Sequence, residues 1–139
     1  RTFSEVPLPG GSSSTLSIAV ADVDGDGFLD IVIGNGDAKN TILFGSAGGR
    51  TFSQVTLPGG SRNAYSTSVA DVDGDGVMDI VFGNSANQDN QVLFGSADRS
   101  AFSEVTIPGR DWRSVCTSVA DVDGDGFMDI VIGNDGQKN

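Results

Sequence analysis

Short apolar runs separated by glycine- and aspartate-rich breaks fill this chain, and no stretch carries a helical period. Three runs are continuously apolar and mostly β-branched: Ile31-Val32-Ile33, Ile80-Val81-Phe82 and Ile130-Val131-Ile132. Such runs read as strands buried on both faces. Each starts from an aspartate (Asp30, Asp79, Asp129) and stops at Gly-Asn (34–35, 83–84, 133–134). A shorter strand precedes each: Leu16 to Ala21, Thr67 to Ala70 and Thr117 to Ala120. A third strand follows at Thr41 to Phe44 and at Gln91 to Phe94. A fourth, alternating strand has the pattern of a half-buried edge. It is expected at Phe3 to Leu8, Phe52 to Leu57 and Phe102 to Ile107.

These runs are one unit repeated. Asp22 to Asp71 is 49 residues and Asp71 to Asp121 is 50. Leu8-Pro9-Gly10-Gly11 returns as Leu57-Pro58-Gly59-Gly60 and Ile107-Pro108-Gly109-Arg110, and Leu43-Phe44-Gly45-Ser46-Ala47 as Leu93-Phe94-Gly95-Ser96-Ala97. Four antiparallel strands in ~40–50 residues is the arithmetic of a β-propeller blade. The expected fold is all-β, with about three tandem blades. The units are an N-terminal strand at 1–11 belonging to a neighbouring blade, blades at 12–60 and 61–110, and a partial blade at 111–139. Closed propellers use typically ~4–8 blades, so a ring closed by this chain alone is not expected. The unmatched first strand and last half-blade are open edges that seek partners, which implies self-association into a ring or a filament. The chain starts at Arg1 and stops where a further third strand is due, so a part of a longer propeller or array is the other reading.

Between the first and second strands of each unit lies a nine-residue acidic loop: Asp22 to Asp30, Asp71 to Asp79, Asp121 to Asp129. Each has Asp at positions 1, 3, 5 and 9 and Gly at 4 and 6. Alternate carboxylates on a tightly turned backbone converge on one centre, and Ca²⁺ is the usual occupant of such an oxygen cage. The glycines permit the turn because they reach positive φ without steric cost. An EF-hand is excluded. It needs flanking helices and a Glu at position 12, where this chain has Ile33, Phe82 and Ile132.

Charge fits that reading. The chain has 19 acids, 8 bases and a net charge of −11, and the three loops hold twelve of the acids. The remaining seven acids and eight bases nearly cancel, so the acidity is local to the loops. No basic stripe exists for nucleic acid, and no run reaches the ~20 apolar residues of a membrane span. Permanently filled Ca²⁺ sites suit an extracellular or cell-surface, secreted location. Cys116 is the single cysteine, so no intrachain disulfide forms; it aligns with Ser17 and Ser66 and reads as a small core residue.

The pattern Ala-Asp-Val-Asp-Gly-Asp-Gly-x-x-Asp-Ile-Val, followed by Leu-Phe-Gly-Ser-Ala, resembles the FG-GAP or VCBS repeats, the blades of integrin-α-like propellers and of many surface proteins. The resemblance spans nearly the whole chain. It implies Ca²⁺ ligation at three sites by the Asp side chains at positions 1, 3, 5 and 9 and by the carbonyl at position 7. Those are Asp22, Asp24, Asp26, Phe28 and Asp30; Asp71, Asp73, Asp75, Val77 and Asp79; and Asp121, Asp123, Asp125, Phe127 and Asp129.

Catalysis is not expected. The chain has no His, no phosphate-binding loop and no Gly-x-Ser-x-Gly elbow, and its carboxylates are nearly all assigned to the loops. The expected role is a non-enzymatic scaffold for adhesion or head-to-tail assembly. The alternative is a lectin-like or protein-recognition module. Its candidate contacts are Arg62, Tyr65, Trp112 and Arg113, residue types enriched in binding hot spots, with a glycan or a protein as ligand. The same aromatics read equally as covers for the joint between blades.

Overall fold

The structure, a computed structural model, describes residues 2–10, 12–48, 51–85, 87–99, 101–108 and 113–135. Among them are ten strands and no helix. Strands β1 (Thr15–Ala21), β2 (Asp30–Asn35), β3 (Lys39–Phe44) and β4 (Ser53–Ser61) form one antiparallel sheet in chain order. Strands β5 (Ala64–Ala70), β6 (Asp79–Asn84), β7 (Asn90–Gly95) and β8 (Phe102–Ile107) repeat it. Strands β9 (Arg113–Ala120) and β10 (Asp129–Asp135) form a two-stranded third sheet. The sheets are open blades, and no barrel closes among the described residues.

The blades stack face to face. Strand β1 lies against β5, and β5 against β9, while β4 and β8 approach each other less closely. The first strands are thus where the blades converge. The middle blade is covered on both faces, and every residue of β6 is buried. Val32, Ile42, Leu57, Ala64, Ile80, Phe82 and Leu93 form the core between the first two sheets, with Val23 of the first acidic loop. In the outer blades the equivalents of β6 alternate between buried and half-buried in β2 and are mostly half-buried in β10.

Four expectations need correction. Phe3 to Leu8 forms no strand, and Phe3 is 99% exposed. In both four-stranded sheets the fourth strand pairs with the third, and among the described residues Phe3 to Leu8 pairs with no third strand. Strands β5 and β9 begin at Ala64 and Arg113, three or more residues before the apolar signal. Their first residues pair with Asn84-Gly83 and Asn134-Gly133 across a bulge, so ladder bonds extend the strands where side-chain pattern does not. Strand β4 likewise runs past Leu57 to Ser61. Cys116 is exposed rather than in a core, because among the described residues no further sheet covers that side of β9.

The paired asparagines close the second-to-third-strand turns. Asn35 N donates to Asn40 Oδ1 at 2.9 Å, and Asn84 N to Asn90 Oδ1 at 2.8 Å. All four side chains are buried, so these turns are structural joints.

Candidate metal centres

The hairpin from β1 to β2 brings the two ends of its loop together, and the same holds for β5–β6 and β9–β10. Ala21 pairs with Asp30, Ala70 with Asp79 and Ala120 with Asp129, so loop positions 1 and 9 lie side by side. The glycines at positions 4 and 6 all have positive φ, from 70° to 92°. A side chain there would be strained in the left-handed region.

The carboxylates hold the loop by accepting its own amides. Position 1 accepts from the amide at position 6: Gly27 N to Asp22 Oδ2 at 3.0 Å, Gly76 N to Asp71 Oδ2 at 2.9 Å, Gly126 N to Asp121 Oδ2 at 2.9 Å. Position 3 accepts from position 5 at 3.1–3.2 Å. Position 5 accepts from position 7, at 2.8 Å for Phe28 N to Asp26 Oδ1 and 2.9 Å for Phe127 N to Asp125 Oδ1. Three loops of differing burial thus share one bond pattern.

Position 9 is the anchor. Asp30 and Asp79 are 0% and 1% exposed. Asp30 Oδ2 accepts from Val23 N at 2.7 Å and its Oδ1 from Gly45 N at 2.8 Å. Asp79 does the same with Val72 N at 2.8 Å and Gly95 N at 2.9 Å. One carboxylate therefore ties the loop to the end of the third strand. Sterics favour glycine at Gly45 and Gly95. A Cβ on Gly45 would come within 2.3 Å of the Leu29 carbonyl, and one on Gly95 within 2.7 Å of the Met78 carbonyl. Sequence reasoning used Leu-Phe-Gly only as a landmark and missed this role. The available signal was that a glycine stands 15 or 16 residues after each of these aspartates.

Three carboxylates in each loop meet within 4.8 Å: Asp22, Asp24 and Asp30; Asp71, Asp73 and Asp79; Asp121, Asp123 and Asp129. Asp26, Asp75 and Asp125, also expected as ligands, stand outside these groups. At that separation each ionised pair repels by roughly 3 kcal/mol at an effective dielectric near ~20, and by less where solvent reaches it. Burial, and then the neighbouring carboxylates Asp30, Asp26 and Asp22, push Asp24 above the ordinary aspartate range, against the pull of its bond from the Asp26 amide. Burial likewise raises Asp79, helped by Asp73 and Asp75 and opposed by its two backbone bonds. A raised pKa means that, without a cation, the folded chain binds the protons of these carboxyls more tightly than the unfolded chain does. Their contribution to stability is present at acid pH and lost as pH rises through the raised value.

The donor set fits a hard cation. It is all carboxylate oxygen on a flexible turn, suited to Ca²⁺ rather than to the stricter octahedron of Mg²⁺. Asp22 Oδ1 is buried with no hydrogen-bond partner, an acceptor facing nothing that satisfies it. Arg99, at φ 58°, also approaches the first loop, its Nη1 donating to the Asp24 carbonyl at 2.9 Å. It comes from the second blade, and nothing in the spacing of the repeats pointed to it.

The proposed ligand-contact residues are placed as follows. The Arg113 guanidinium lies 5.2 Å over the Tyr65 ring, linking the second and third blades, and pairs with Asp135, which holds its pKa up. Arg62 is held within the second blade, 3.3 Å from Glu104 and 3.2 Å from the Asp89 carbonyl. Trp112 lies outside the described residues. No helix among the described residues is long and apolar enough to cross a membrane.

No curated protein matches the chain. The FG-GAP-like repeat matches it twice, over residues 22–82 and 78–132.

Proposed function

We propose a function from one premise, that the chain belongs to the FG-GAP-like repeat family. It is a β-propeller-like repeat module, and we read it as a Ca²⁺-stabilised, non-enzymatic extracellular scaffold used for adhesion or assembly. One observation carries this reading: three aspartates converge within 4.8 Å at the same place in all three blades. In the first two loops the position-9 anchor is buried as well. A bound Ca²⁺ supplies the positive charge that lets these carboxylates stay ionised together. Asp22, Asp24 and Asp30, with their counterparts, would hold it; Asp30 and Asp79 already fix the loop to the strand end, so ligation and blade closure are coupled. Metal affinity of that kind adds to folding stability. Filled structural sites suit the high free Ca²⁺ outside cells, and the family's typical setting supports the same location.

Limited proteolysis tests the scaffold reading. In Ca²⁺ the three loops resist cleavage, and in chelator they are cut after their exposed ends open. Equal cleavage with and without Ca²⁺ would remove the cation from the account.

Recognition of a glycan or protein is the second reading. It is favoured by the Tyr65 ring and Arg113 guanidinium held together between two blades. Glycan-array binding lost in Tyr65→Ala and Trp112→Ala would support it, and an array blank for the wild-type chain would end its glycan form.

A further inference from the structure

Both joints between blades are built alike. In an antiparallel ladder, residues directly opposite share a face. The rear face of the first sheet offers Ser17 with Gly34 and Ala19 with Val32, and the rear face of the second offers Ser66 with Gly83 and Ser68 with Val81. The front face of the second sheet offers Thr67 with Phe82 and Val69 with Ile80, and that of the third offers Thr117 with Ile132 and Val119 with Ile130. Hydroxyls stitch rear to front. Ser17 Oγ lies 2.7 Å from Thr67 Oγ1 and donates to the Ala64 carbonyl at 2.7 Å. Ser66 Oγ lies 2.9 Å from Thr117 Oγ1, and Ser68 Oγ donates to the Thr117 carbonyl at 2.9 Å. Glycine keeps each joint tight. A Cβ on Gly34 would stand 2.9 Å from the Ala64 carbonyl, and one on Gly83 3.1 Å from Ser114 Cβ, both in the next sheet.

Two half-joints are left over. The first sheet's front face carries Ile18 opposite Ile33 and Val20 opposite Ile31. Ile18 is 62% exposed and Val20 56%, whereas Phe82 and Ile80, at the positions of Ile33 and Ile31 in the covered blade, are fully buried. The third sheet's rear face carries Cys116 opposite Gly133 and Ser118 opposite Val131. Val131 is 48% exposed where Val32 and Val81 are 0%. A Cβ on Gly133 would meet only Cys116 of its own sheet.

The two leftovers differ from the closed joints in a matched way. Where the closed joints set Thr67 on Ser17 and Thr117 on Ser66, the open front has Ile18 and the open rear has Cys116. An isoleucine against serine would take away the hydroxyl partner that Thr67 and Thr117 give it in the closed joints. Against cysteine it meets a small, weakly polar thiol that packs as a hydrophobe. Both open faces are also free of charged side chains at these positions. The joint between the second and third sheets already unites four strands with two, so a two-stranded rear face suffices.

We infer that the front face of the first sheet docks on the rear face of the third sheet of a second copy of this chain, head to tail, with Ile18 seated against Cys116. This rests on the assembly form of the scaffold reading and names its partner. Such a contact is heterologous, so copies add in one direction and make a ring or an open array according to the rotation per copy. It also sets the first acidic loop of one copy beside the third of the next, so association requires Ca²⁺.

Sedimentation velocity in Ca²⁺ and reductant, across a concentration series, provides the test. The wild-type chain forms concentration-dependent oligomers. Ile18→Asp and Cys116→Asp each leave a monomer, weakening association by more than about tenfold, as loss of a hot spot does. Mixed, the two variants form a one-to-one dimer and stop, because each keeps the face the other lacks. Ile18 and Cys116 are exposed, so circular dichroism, and melting in Ca²⁺ at concentrations where the wild type is monomeric, remain as in the wild type. A monomeric wild-type chain overturns the proposal, and so do oligomers indifferent to both substitutions or a mixture without the dimer. A monomer that still melts higher in Ca²⁺ removes this joint alone and leaves the calcium scaffold standing.

Discussion

At the scale of single residues, one aspartate type does two jobs, and its positions separate them. Asp79 is buried and accepts two amides, while Asp73 is exposed and accepts the Asp75 amide. Asp79→Asn presents an amide N–H to a backbone N–H in a buried site. It costs about 2–4 kcal/mol in denaturant unfolding in chelator, and more in Ca²⁺, where a cation ligand is lost as well. Asp73→Asn changes sign with the medium. It removes a repelling charge in chelator and stabilises by about 1 kcal/mol, but removes a cation ligand in Ca²⁺ and destabilises. The same effect in both media would show that Asp73 ligates nothing. Gly95→Ala places a Cβ 2.7 Å from the Met78 carbonyl and the Val77 side chain, an overpacking cost of about 1–3 kcal/mol readable as a lowered melting midpoint. The aspartates were legible in the sequence because charge and spacing repeat together. Gly45 and Gly95 were not, because what demands glycine is a carbonyl far back along the chain.

At the scale of strands, burial depends on how many blades cover a position more than on the residue there. Phe82 in β6 is fully buried between two sheets, and Ile33 at the same repeat position in β2 is half-buried. Phe82→Ala is expected to cost about 3–5 kcal/mol in urea unfolding, and Ile33→Ala roughly half or less. Equal costs would mean that the first sheet is covered in solution, as the head-to-tail joint requires once copies associate, so the comparison belongs at low protein concentration. The second and third strands were legible from their apolar runs. The starts of β5 and β9 (Ala64 to Ser66 and Arg113 to Cys116) were not, because they carry no apolar alternation and are held by ladder bonds across a bulge. The alternation in Phe3 to Leu8 predicted a strand that does not form, because a lone alternating segment gains no ladder bonds without a paired neighbour.

At the scale of the whole molecule, three open blades with a net charge of −11 combine a modest core with three self-repelling loops. Cation binding offsets the repulsion where the blades begin, and stacking then depends on the front and rear faces of the sheets. The number of blades, their strand order and the three loops were all present in the repeat. Which faces remain open was not, because it follows from how sheets stack in space. The central claim is that these loops are cation sites that hold the blades. It is tested most directly by titrating Ca²⁺ calorimetrically into the cation-stripped chain while following its melting temperature. The account predicts three ions per chain and a melting temperature that climbs as they bind. No binding heat and an unchanged melting temperature would contradict it.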